Sequence, residues 1–321
     1  MTSLIHIDFS KNGLRCLHAN DYGGVPAELA TLPNLSILII SECNLPYIPP
    51  AIFKCKNLTI LDISRNKINI LLPEIGNLEQ LQHLNAQSTN ISTLPPEIAF
   101  CQELEELLLW GNVIESLPET MREMPKLKQL AVNYRSFFSI LDSYMDNLLK
   151  KGQIQSEHIP PVVFEMPGLD TLDLEGTKIN HVPDRCYGRL RELYLQNNYF
   201  RSTPSMILRL PTLQVLNLSS NMLQDLPEEL GRLSNLVVLK ANDNKLRQLS
   251  PSIGQLLQLE QLALGGNELT AIPDSIGQLG QLKSLILDRN QLTAIPGNGA
   301  QTTNDATPMY RIHKIIHVYY M

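Results

Sequence analysis

Apolar residues recur along this chain in an eleven-residue pattern, Leu-x-x-Leu-x-Leu-x-x-Asn-x-Leu, that returns about every 23 residues. Clear copies run from Leu104 to Ile114, Leu213 to Leu223, Leu259 to Leu269 and Leu282 to Leu292. Twelve copies open at Leu4, Leu35, Leu58, Leu81, Leu104, Leu127, Leu169, Leu190, Leu213, Leu236, Leu259 and Leu282. A repeat of this length predicts a stack of small units. One unit cannot bury its apolar face alone, so each must lie against its neighbours.

Inside Leu-x-x-Leu-x-Leu the apolar residues alternate, as at Leu107 and Leu109 or Leu216 and Leu218. Period two predicts a short strand with one buried face. The following Asn (Asn66, Asn112, Asn198, Asn221, Asn244, Asn267 or Asn290) ends the strand and can turn inward to bond backbone groups of the next turn. Cys43, Thr89 and Thr177 stand in at that rung, and the regular pattern breaks at Arg135. The second half of each unit, x-x-Leu-Pro-x-x-Ile-x-x-Leu, begins with a proline suited to the first position of a helical turn. Acidic residues follow it, as in Leu117-Pro118-Glu119 and Leu226-Pro227-Glu228-Glu229, where they meet the positive end of the helix dipole. Met121 and Met124, or Leu230 and Leu233, then face the core. The expected architecture is an α/β solenoid. Its parallel strands are joined by right-handed crossovers and line a concave face, with short helical or 3-10 returns on the convex face.

The LPxxIxxLxxLxxLxLxxNxL unit resembles the leucine-rich repeat superfamily, and is most similar to the 23-residue intracellular group of Ras-suppressor-like, Ras-binding adenylate-cyclase-like and Erbin/Scribble-like proteins. The likeness covers residues 4–296. It rests on framework positions, so it implies the fold strongly and a partner only by class: a small GTPase, a phosphatase subunit or a signalling kinase.

The expected layout is a solenoid of about twelve repeats over 1–296 and a tail over 297–321. Two spacings are long. Leu4 and Leu35 are 31 residues apart, which places an exposed loop around Ala19 to Val25. Leu127 and Leu169 are 42 apart, which leaves an insert over 138–157. There Phe137, Ile140, Leu141, Tyr144, Leu148 and Leu149 recur at helical spacing, and Lys150-Lys151-Gly152 makes a stop. This helix suits either the edge of the stack or an overhang on the concave face. The tail starts polar and ends in Met-Tyr-Arg-Ile-His-Lys-Ile-Ile-His-Val-Tyr-Tyr-Met, which reads as a cap or as an anchor for a partner or membrane surface. Gly231, Gly254 and Gly277 fall in the returns, at close packing or turns.

Twenty-six basic and 32 acidic residues leave a formal charge of −6, which argues against nucleic acid as a partner. The start, Met-Thr-Ser-Leu-Ile-His-Ile-Asp-Phe, does not read as a secretory leader, and no segment is apolar for long enough to span a bilayer. Cys55, Cys101 and Cys186 take apolar positions of the returns and Cys43 takes an Asn position, so they read as small buried groups of a reducing, cytoplasmic compartment. No spacing suggests a metal site or cofactor.

Side chains between the framework leucines point away from the core. At the position between the last two leucines they are Asp8, Ile39, Asp62, Asn85, Leu108, Ala131, Asp173, Tyr194, Asn217, Lys240, Ala263 and Ile286. Around its middle this face carries Trp110, the single Trp of the chain, with Leu108, Tyr134 and Tyr194. His83, Glu106, Asp173, Glu175, Glu192 and Gln196 complete the set. Exposed aromatics in an acidic rim predict a protein-binding surface for a partner with a basic contact patch. His83 and Asp62 could be neighbours across one strand spacing, but scattered histidines and an open sheet offer no catalytic pocket. The sequence therefore predicts a non-catalytic interaction scaffold in intracellular signalling. The alternative is a recognition fragment of a larger receptor or immune or effector protein.

Overall fold

The computed structural model describes residues 3–14, 27–132, 162–184 and 189–293. Tyr134, Arg135, the insert over 138–157, Cys186, the loop around Ala19 to Val25 and the tail over 297–321 lie outside them. The chain divides into two units, one of residues 1–142 and 158–173, the other of residues 143–157 and 174–321.

The first unit holds seven parallel strands in sequence order: β1 (His6–Asp8), β2 (Ile37–Ile39), β3 (Ile60–Asp62), β4 (His83–Asn85), β5 (Glu106–Leu108), β6 (Gln129–Ala131) and β7 (Thr171–Asp173). The second holds five: β8 (Glu192–Tyr194), β9 (Val215–Asn217), β10 (Val238–Lys240), β11 (Gln261–Ala263) and β12 (Ser284–Ile286). Pairing keeps one register, so the central leucines stack level: Leu38, Leu61, Leu84, Leu107 and Leu130 in the first unit, Leu193, Leu216, Leu239 and Leu262 in the second. All nine are fully buried. Each strand is three residues long because the asparagine turn follows at once, and the side chains flanking each central leucine face outward.

The inward asparagines form the expected ladder. Asn221 is typical: its amide nitrogen donates to Leu195 O (2.9 Å), Leu218 O (3.1 Å) and Ser219 O (3.2 Å), and its Oδ1 accepts from Phe200 N (3.0 Å). Asn66, Asn112, Asn198, Asn244 and Asn267 repeat the arrangement and are buried with it. The stand-ins work by the same logic at shorter reach. Thr177 Oγ1 is 2.9 Å from Leu174 O and 3.0 Å from Asn198 Oδ1, and Cys43 Sγ is 3.1 Å from Phe9 O.

Among the described residues the returns are mostly single 3-10 turns, such as Pro96–Phe100 and Glu228–Arg232, with one α-helical turn at Val162–Glu165. Pro73, Pro96 and Pro251 open the turn, but each stands one residue beyond the Leu-Pro position of its repeat. The Leu-Pro prolines themselves, Pro95, Pro118 and Pro227, stand one residue before the turn with extended ψ values of 146°, 138° and 150°, which corrects the expected first helical position. The ring fixes φ near −65°, a value common to both conformations, so ψ alone decides where the turn starts. Gly231 is needed for close packing: a Cβ there would lie 2.5 Å from Ser252 O of the next return.

Cys43, Cys55 and Cys101 are free, buried thiols. Burial raises the Cys55 thiol and pushes Cys101 up from 9.0 to about 12. Below pH 9.0 the Cys101 thiol is neutral in both folded and unfolded chain and costs nothing. Above it the unfolded chain releases its proton first, so stability falls as pH rises from 9.0 towards about 12. Urea midpoints across that range are expected to fall more steeply for the wild type than for Cys101→Ala, with the excess loss approaching about 4 kcal/mol at the top. Parallel pH profiles would contradict the buried-thiol account.

Candidate functional site

The sequence-derived surface falls on both units, and each part stands on its own. In the first unit β4 and β5 set His83 beside Glu106, with Nδ1 and Oε2 2.9 Å apart. His83 is level with Ile60 and Glu106, whereas Asp62 is level with Asn85. The suggested His83–Asp62 contact is therefore replaced: Asp62 Oδ2 accepts from Asn85 Nδ2 (3.1 Å). A parallel register pairs like positions of successive repeats, and these two residues sit two positions apart. Leu108 is half-buried, level with Asn85 and Ala131. Trp110 follows β5 with 43% of its surface exposed, and its carbonyl accepts from Ser88 N (2.7 Å). Asp173 ends β7, level with Ala131.

Glu175, Glu192, Tyr194 and Gln196 belong to the second unit, all half-buried. Tyr194 Oη donates to Glu192 Oε2 (2.9 Å). Glu175 accepts from Gln196 Nε2 (2.8 Å) and Asn197 Nδ2 (2.6 Å). These hydrogen bonds orient the Glu192 and Glu175 side chains on the strand face.

Two features of the first unit go beyond the sequence-derived set. Ile37, Ile39 and Ile60 form a half-buried apolar block on the outward face, Ile37 level with Ile60 and Ile39 level with Asp62. The signal was the unbroken apolar run Ile37 to Ile40, where a one-sided strand would alternate. Asp8 and Asp62 border the block, and each carboxylate accepts from the backbone amide two residues on, Ser10 N (2.8 Å) and Ser64 N (2.9 Å). Asn85 and Asn217 do the same for Gln87 and Ser219, so this surface position also terminates strands. Bonds from the Ser10 side chain, then its backbone, hold the Asp8 carboxyl below its ordinary value.

The outward positions of β1 to β7 contain four carboxylates, Asp8, Asp62, Glu106 and Asp173, and no lysine or arginine. Near this face Arg65 pairs with Glu42 (3.1 Å) and Lys128 with Glu105 (2.7 Å), while Lys11 acts on Asp8 through its charge. The Lys128 bond holds the Glu105 carboxyl below its usual range. Among the described residues no group of three His, Cys, Asp or Glu side chains could hold a metal, and no helix is long and apolar enough to cross a membrane.

A family model described as a leucine-rich repeat region matches residues 36–150, and a leucine rich repeat model matches 188–246 and 234–292. No curated protein matches the chain. Among solved structures, it is similar to a leucine-rich repeat protein of Leptospira interrogans, with 25% identity, 98% of this chain and 88% of that one covered, and a TM-score of 0.50. An internalin of Listeria monocytogenes is similar at 20% identity, with 98% and 86% covered and a TM-score of 0.63. The Drosophila Toll–Spatzle complex yields a TM-score of 0.67 at 22% identity over 83% of this chain and 34% of that one.

Proposed function

We propose, since the chain belongs to the leucine-rich repeat family, that it is a non-catalytic scaffold whose outward strand face docks a protein partner carrying basic residues. One observation carries the reading: in the first unit that face presents Trp110, Leu108 and an isoleucine block among four carboxylates, with no cation in its strands. Such a surface offers apolar anchors with a charge preference, and a preordered sheet loses little entropy when a partner docks. The repeat's resemblance to Ras-suppressor-like and Erbin/Scribble-like proteins suggests a small GTPase, a phosphatase or a signalling kinase as the partner. The buried free thiols suit work in the cytoplasm, where thiols stay reduced.

Proximity labelling in cells with the wild type and Trp110→Ala identifies partners that depend on this face. Titration of a purified partner then measures the effect. Trp110→Ala is expected to weaken binding by about 2 kcal/mol with an unchanged melting curve, and added salt is expected to weaken binding of the wild type. Phe100→Ala, on a return segment, should leave affinity unaltered. Full affinity of the Trp110 variant would reject the surface.

A further inference from the structure

We infer that Asn12–Gly13 is a site of spontaneous deamidation, which the fold leaves open here and closes at the corresponding asparagines of later repeats. Asparagine followed by glycine is the dipeptide most open to this reaction, because no side chain hinders attack by the following backbone nitrogen. Two groups must be free to meet: the side-chain amide carbon of the asparagine and the N–H of the next residue.

At the seven later ladder asparagines both groups are engaged. Each Oδ1 accepts a backbone N–H of the preceding repeat, as Asn66 does from Cys43 and Leu45 (both 3.0 Å) and Asn244 does from Leu223 (3.0 Å). The N–H that would attack is also tied one repeat back: Lys67 N to Leu45 O, Met222 N to Phe200 O and Lys245 N to Leu223 O, each 2.8 Å. Residues 113, 199, 268 and 291 make the same bond. Six of the seven asparagines are also buried.

Asn12 differs on every count. It is exposed, its amide nitrogen donates only locally, to Phe9 O (2.8 Å) and Ser10 O (3.1 Å), and no N–H among the described residues reaches its Oδ1. Gly13 is exposed, and its N–H has no acceptor among the described residues. A Cβ placed on Gly13 would have nothing within 4 Å. In the reaction the Gly13 nitrogen loses its proton to hydroxide and attacks Asn12 Cγ. The N–Cγ bond forms, the Cγ–Nδ2 bond breaks, and Nδ2 takes up a proton from water and leaves as ammonia. Water then opens the five-membered imide at either carbonyl to give aspartate or isoaspartate, and nothing is oxidised or reduced. The product carboxylate cannot donate to Phe9 O or Ser10 O, so the turn after β1 loses both bonds.

The test incubates the full chain in mildly alkaline buffer and maps each asparagine by mass spectrometry after proteolysis, with isoaspartyl methyltransferase as a second probe. The same chain unfolded in urea sets the unprotected rates. Asn12 is expected to convert in the folded chain at close to its unfolded rate, while the ladder asparagines convert at least about tenfold more slowly than when unfolded, since each must wait for local opening. Gly13→Ala, which the open space accommodates, is expected to slow conversion at Asn12 by about tenfold or more, because the new methyl removes the freedom glycine gives the backbone. Asn298–Gly299, outside the described residues, is read from its own peptide. An Asn12 that keeps its amide in the folded chain while the unfolded chain converts, or a Gly13→Ala chain that converts as fast as the wild type, overturns the inference.

Discussion

Leu216→Ala is expected to lower the stability of the second unit by about 2–5 kcal/mol, read as an earlier urea midpoint with little change in slope. Leu216 is fully buried at the centre of β9, level with Leu193 on one side and Leu239 on the other. Truncation leaves a cavity that collapse cannot easily fill. The strands above and below are fixed by ladder bonds, including Leu195 N to Asn217 O (2.8 Å) and Leu218 N to Lys240 O (2.7 Å). The cost therefore includes lost burial as well as lost contact across the void. Asn217→Ala, one residue along on the outward face, keeps the core intact and should cost far less. An unchanged melting curve for Leu216→Ala would contradict the framework role of that position.

Asn221→Ala is expected to cost about 2–4 kcal/mol, because it strands buried polar groups at once. Phe200 N loses its acceptor, and the carbonyls of Leu195 and Leu218 lose a donor. Asn221→Thr is expected to recover part of that loss. Thr89 and Thr177 occupy equivalent rungs and keep contact with the carbonyl three residues back, Ala86 O (3.1 Å) and Leu174 O (2.9 Å). Urea unfolding orders the three chains, and hydrogen exchange at Phe200 N reports the local effect. Equal stability of the alanine and threonine variants would remove the argument that the rung matters through its hydrogen bonds.

The repeat was legible because it is a framework signal. Leu107, Leu216 and their counterparts recur at fixed spacing, and only one face of a short strand can be buried, so inward and outward positions followed from parity alone. The ladder was legible for a similar reason: a buried asparagine after a strand needs partners, and the neighbouring backbone is the nearest source. The pairing of surface side chains was not. His83 turns to Glu106 and Asp62 to Asn85 because strand register sets which residues stand level, and spacing within one repeat carries no register. Parity placed Ile39 outward, but only the pairing of β2 with β3, which sets Ile37 level with Ile60, shows that the isoleucines form one block.

From the sequence alone came the repeat unit, the strand and return of each turn, the inward leucines and asparagines, and the exposure of Trp110. All of these rest on periodicity, which is local. The tertiary structure alone decided which carboxylates are paired, which apolar side chains gather on the outward face, and which asparagine escapes the ladder. Those depend on what the adjacent repeat places opposite each residue, a relation between positions about 23 residues apart that no single repeat contains.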